Sequence, residues 1–132
     1  MEEILRVYVK IEESFVVNGQ KTNVSMLHFS GHAESKYFKG VILPHGIDLQ
    51  RGAVGMPMNL SARYMLEGED CEGNKCRLFI ENNGSNNEAG EMVTKPVIVT
   101  DSKELAWMEE AEFTGSLSFE EDLVIIHICK VG

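Results

Sequence analysis

The stretch GVILPHGIDLQRG, residues 40–52, holds the first residues whose types and spacing could do chemistry. An apolar run, Val41-Ile42-Leu43, is stopped by Pro44; His45 follows, and Asp48 comes three positions later. A carboxyl near an imidazole is an acid–base pair if an apolar setting raises the carboxyl pKa. Arg63, Glu81 and Asn83 could receive a small polar ligand, the guanidinium fork taking a carboxylate or phosphate. Trp107, the single tryptophan, offers stacking surface. The candidates are therefore Asp48 and His45 for proton transfer, and Asp48, His45, Arg63, Glu81, Asn83 and Trp107 for ligand binding. Each has a structural account beside the functional one. Asp48 can cap a turn, Arg63 can brace Asp48, and Trp107 can plug the end of a barrel.

Other chemistries are poorly served. There is no nucleophile elbow, phosphate loop or zinc-type spacing. Cys71 and Cys76 form one C-x4-C pair with no second pair, so no metal and no cofactor is expected. The two thiols flank a turn, where a bridge is conceivable, and the third, Cys129, is left over.

The elements that must position these residues are strands. Leu5, Val7, Val9 and Ile11 alternate with Arg6, Tyr8 and Lys10, and Asn18-Gly19 signals a hairpin. Returning strands are expected over 24–35, 38–43, 60–69, 76–82, 93–100, 113–119 and 123–130. Residues 45–58 read as irregular with room for a short strand, and NNGSNNEAGE, 82–91, reads as a polar loop. One short helix is expected near residues 101–109, with Asp101 and Glu104 spaced as a capping box. Roughly eight to ten strands with one helix describe an all-β antiparallel barrel or sandwich, in a single domain spanning 1–132.

The hairpin over 60–82 sets where the candidates face. A three-residue loop, Glu72-Gly73-Asn74, puts Leu66 opposite Ile80, Tyr64 opposite Asn82 and Glu69 opposite Arg77. Cys71 then faces Lys75, which argues against a Cys71–Cys76 bridge. Arg63, Glu81 and Asn83 share the second face with Met65 and Phe79. Turned outward they form a solvated patch; turned inward they form a polar cluster in an apolar lumen. The last strand, 123–130, is apolar on both faces around His127, which suggests a homodimer or higher homo-oligomer.

Several short motifs then fall in a telling order: Phe29-Ser30-Gly31, Gly40-Val41-Ile42-Leu43-Pro44, Gly46 and Asp48, Ala62-Arg63-Tyr64, Asn83-Gly84, Ala106-Trp107 and Phe113-Thr114-Gly115. Over roughly residues 25–130 the chain resembles the domain of unknown function 3237 family of small bacterial and fungal proteins. The resemblance implies a calycin-like or lipocalin-like barrel, with Asp48, Arg63 and Trp107 lining a shared pocket. It brings no reaction. The family usually has a second glycine where this chain has His45, and Leu-Asn where it has Met108-Glu109. His45 is therefore the first residue to suspect of setting specificity.

Bulk properties exclude some partners. The 132 residues carry a net charge of −9, which repels nucleic acid and anionic membranes. No apolar run approaches the roughly 20 residues of a membrane helix. The start, MEEILRVYVKIEE, is acidic and alternating, unlike a secretion signal, so a cytoplasmic location is expected. Three functional readings stand: a barrel binding a small organic molecule, a cofactor-free acid–base isomerase, cyclase or lyase, and a packed structural barrel acting through an interface.

Overall fold

The computed structural model covers residues 1–132 and is almost entirely β-sheet. The strands are β1 (Glu2–Asn18), β2 (Thr22–Glu34), β3 (Phe38–Ile42), β4 (Gly46–Ala53), β5 (Asn59–Asp70), β6 (Lys75–Asn86), β7 (Met92–Thr100), β8 (Phe113–Glu120) and β9 (Leu123–Lys130). They pair antiparallel in the order β1-β9-β8-β7-β6-β5-β3-β2, and β1 pairs back to β2, which closes the ring. β4 lies beside β3, also between β2 and β5, so the two share one place in the wall. The result is a closed antiparallel barrel with eight wall positions.

That shared place explains GVILPHGIDLQRG. β2 pairs His32 with Val41 but Phe29 with Gly46, so β3–β4 advances five residues while β2 advances three. The same offset appears against β5, between Ile42↔Leu66 and Ile47↔Arg63. One wall strand thus carries a two-residue bulge at Pro44, whose missing N–H breaks the ladder. Leu43 N still donates to Met65 O at 2.8 Å, and His45 completes the bend at φ 78°. The segment expected to be irregular is therefore mostly strand.

Alternation sends one face of every strand inward. Leu66, Leu78 and Ile80 are 0% exposed, and each contributes about 1.5–3 kcal/mol by burial. Ile126 and Ile128 point inward from β9, while Ile125, on its outer face beside Tyr8 and Ser118, is 6% exposed within a single chain. The other outer residues of β9, Leu123, His127 and Cys129, are half-buried.

One end of the barrel is stoppered. The expected helix is only a 3₁₀ turn, Ala106–Glu109, preceded by turns from residue 101. No capping box forms, because Asp101 accepts from Arg77 N at 2.8 Å and Ser102 Oγ takes Leu105 N at 3.2 Å. Leu105 and Met108 press into the core. Asp70 ties the stopper down, accepting from Ser102 Oγ at 2.8 Å and from the amides of Glu72 and Asn74 at 3.0 Å.

Those Asp70 bonds also correct the hairpin register. They spread the turn to 71–74, so Leu66 faces Leu78, Arg63 faces Glu81 and Glu69 faces Lys75. The shift from the expected pairing is two residues, and an even shift leaves every side chain on its expected face. At the far end β6 runs on to Asn86, because β7 supplies ladder partners such as Gly84↔Thr94 and Asn86↔Met92; the polar loop shrinks to 87–91. β7 and β8 meet at a single bridge, Thr94↔Gly115, beside Pro96, which has no N–H to give.

Candidate functional site

The end opposite the stopper is not filled. A cavity of about 190 Å³ lies in the lumen there, walled mainly by apolar side chains such as Val9, Phe29, Leu117 and Ile126. Three polar residues enter it: Asp48, Gln50 and Asn82. Asp48 is opposite Ala62 on β5, and Ala62 is opposite Asn82 on β6. The small Ala62 thus sits between two polar side chains in one row of the wall. Gly46 lets this corner close: a Cβ there would lie 3.1 Å from both the Phe29 ring and Tyr64 Cβ.

The polar atoms are under-used. Asp48 Oδ1, Asn82 Oδ1, the Tyr64 hydroxyl and Thr94 Oγ1 are sealed from solvent with no hydrogen-bond partner in the chain. Buried polar groups are almost always paired, so four such atoms facing one interior mark a polar site. Gln50 Nε2 donates to Asp48 Oδ2 at 3.1 Å. Burial pushes the Asp48 carboxyl pKa up, and the Gln50 bond only partly offsets this. Burial, with the nearby Asp48 charge, raises the Tyr64 phenol as well, so Tyr64 stays protonated. Of these groups the cavity lining itself holds Asp48 and Asn82, which offer it two free acceptor oxygens; Tyr64 and Thr94 lie outside that lining.

Of the candidates read from the sequence, only Asp48 lies in this cavity. Arg63 does not meet it. Ile47 is opposite Arg63 while Asp48 is opposite Ala62, so Arg63 takes the other face of the wall. Outside, Arg63 Nε pairs with Glu81 Oε2 at 3.3 Å. Asn83 is also outside, accepting from Ser61 Oγ at 2.6 Å, in an open groove of about 750 Å³. That groove is larger than the cavity but solvent-open and free of unpartnered buried atoms, so the lumen is the stronger candidate. His45 is exposed on the bulge. Trp107 packs on Tyr37 and Phe113 in the stopper, at the wrong end. Asn82, Gln50 and Thr94 were missed. Asn82 carried a signal, an amide in phase with Leu78 and Ile80 on an apolar face.

Two other polar groupings occur. Ser118 Oγ lies 2.7 Å from His127 Nε2, and His127 Nδ1 bonds Glu3, across the outer faces of β8, β9 and β1. This orders a nucleophile, a base and an acid, but on an outer wall with no shaped cavity or oxyanion-stabilising donor pair aimed at it. Cys71, Glu72 and Glu104 bring ligand atoms within 4.8 Å of one another, all exposed near the stopper. The three cysteines are unbridged.

The fold and interior together define a class: a closed antiparallel barrel with an apolar lumen carrying buried, unpartnered polar groups. The chain belongs to the DUF3237 family, described as a protein of unknown function, whose model matches residues 1–87. The Trp107 and Phe113-Thr114-Gly115 motifs lie beyond that match. No curated protein matches the chain significantly. Solved structures do. A protein with unknown function from Clostridium acetobutylicum ATCC 824 shares 23% identity over 99% of this chain and 98% of that one, with a TM-score of 0.82. A β-barrel-like protein from Acinetobacter baumannii AYE shares 17% over 99% and 94%, at 0.76. An enzyme from Penicillium herquei shares 12% over 97% and 92%, at 0.72. At these identities the likeness is one of fold. No helix is long and apolar enough to cross a membrane.

Proposed function

We propose that this protein binds a small organic molecule in the barrel lumen, in the manner of the calycin-like barrels. The observation that carries this reading is the pair of sealed, unpartnered oxygens, Asp48 Oδ1 and Asn82 Oδ1, on residues lining an unfilled apolar cavity. A cavity of about 150 Å³ holds benzene, so about 190 Å³ suits a molecule of single-ring size. The free oxygens of Asp48 and Asn82 call for a ligand that donates hydrogen bonds, such as a phenol or an aryl amine. A carboxylate ligand would face the Asp48 charge and a protein of net charge −9, and is disfavoured.

The test is calorimetric titration with phenol, catechol and benzylamine. A saturable heat with the native chain, lost in Asn82→Leu, is expected. Equal heats from both proteins would remove the lumen as the site.

A second reading is supported by the raised Asp48 pKa: a cofactor-free acid–base enzyme in which Asp48 carries the proton. A structural neighbour described as an enzyme is compatible with it. In this reading Asp48→Asn keeps ligand affinity but abolishes turnover; persistent turnover would rule Asp48 out.

A further inference from the structure

The outer wall carries a second pattern, unrelated to the lumen. On β5 and β6 the outward residues run in facing pairs. Arg63 faces Glu81, Met65 faces Phe79, and Glu67 faces Arg77. The upper ion pair is Arg63 Nε to Glu81 Oε2 at 3.3 Å, and the lower is Arg77 Nη2 to Glu67 Oε2 at 2.8 Å. The sign alternates both along each strand and across the pair. Four charges thus sit at the corners of a checkerboard with an apolar centre.

The apolar centre continues sideways. Val99 is opposite Phe79, Val97 opposite Glu81 and Val41 opposite Glu67. These are exposed: Val41 55%, Val97 53%, Val99 47% and Met65 37%. A contiguous apolar band on an acidic protein marks a contact surface. Scattered exposed valines would not; these share one face of four neighbouring strands.

The checkerboard names the occupant. A two-fold axis lying in the interface and along the strands, between β5 and β6, sets Arg63 against Glu81 of the second copy and Glu67 against Arg77 of the second copy. An axis across the strands sets Arg63 against Glu67 and Glu81 against Arg77. Both put opposite charges together and Met65 and Phe79 at the centre. The surface is therefore complementary to itself in aligned packing. We infer that the outer face of β3, β5, β6 and β7 is the interface of a two-fold homodimer with its sheets aligned, an apolar core and a charged rim. The four strands hold 38 residues, about half of them facing outward, which is just below the roughly 20–30 residues a side of a standard interface.

The experiment is sedimentation velocity of the full chain at low to high micromolar concentration. A species of twice the 14.8 kDa chain mass is expected for the native protein. Val97→Asp should be monomeric. Glu81→Arg sets like charges together under either axis and should weaken dimerisation at least about tenfold. Inverting all four charges together (Arg63→Glu, Glu67→Arg, Arg77→Glu and Glu81→Arg) regenerates the pattern and should restore the dimer. Far-UV dichroism confirms that each variant is folded; these positions lie on the outer wall, so the core is untouched. A native chain that stays monomeric throughout, or a folded Val97→Asp that stays dimeric, overturns the inference.

Discussion

Ala62→Leu separates a binding lumen from a packed one by the sign of its effect. Ala62 is 6% exposed and stands between Asp48 and Asn82 on the cavity wall. Leucine adds three carbon groups. At about 0.8 kcal/mol per buried CH₂, less the roughly 0.5–1 kcal/mol of rotamer freedom a leucine loses, the gain is about 1.5 kcal/mol. The space is sufficient, because the cavity is about 190 Å³. Unfolding entropy runs near 2.1 cal/mol/K per residue, so over 132 residues that gain raises the melting temperature by about 5 °C. The same side chain obstructs the ligand, and binding of phenol-sized probes should disappear. Differential scanning calorimetry with and without probe reads both effects. If the lumen is instead closely packed, the extra carbons force strain and cost about 1–3 kcal/mol. A lowered melting temperature, or a raised one with binding intact, would refute the reasoning.

Asp48→Asn should also stabilise, in a pH-dependent way. Burial raises the Asp48 pKa, so the folded state holds this proton more tightly than the unfolded chain. Native stability therefore declines as pH climbs from the unfolded pKa through the folded one, then levels off. The asparagine variant lacks that decline and should exceed the parent at neutral pH by about 1–3 kcal/mol in urea titrations, with the gap closing in acid. Asp70 behaves oppositely. The Ser102 hydroxyl leads the bonds that hold its carboxyl below the usual range, so its contribution is full above the unfolded pKa and lost as pH falls through the folded one. Asp70→Asn should be less stable at neutral pH and show a flatter acid limb. His45→Gly relieves a positive φ and should add about 0.5–1 kcal/mol without altering probe affinity, since His45 is exposed on the bulge. Altered affinity would return His45 to the site.

The period-two alternation made most strands readable, because each has one buried face and one exposed face. What failed was any feature fixed by a contact far away in sequence. β4 looked irregular because Pro44 and Gly46 are breakers locally, yet β2 and β5 supply ladders on both its sides. The helix reading at Asp101 lost to the distant amide of Arg77. Asp48 was legible as a polar residue in an unusual setting. The expected approach of Asp48 to Arg63 does not occur, since parity across β4 and β5 depends on a register that the sequence does not state. Arg63, Glu81 and Asn83 were grouped correctly on one face; which side of the wall that face takes depends on how the ring closes.

The single bridge between β7 and β8 gives the cylinder a clasp. Every other joint in the ring is a ladder of several pairs, whereas this one rests on the Thr94–Gly115 bridge and a long Thr114 Oγ1 to Thr94 O hydrogen bond of 3.5 Å. Parting these two would turn the ring into an unrolled sheet whose remaining ladders are intact, so its circumference has one compliant point. Leu117, which lines the cavity, lies just beyond the clasp on β8. The amides of residues 116–120 that face β7 should be the first in the barrel wall to exchange with deuterium.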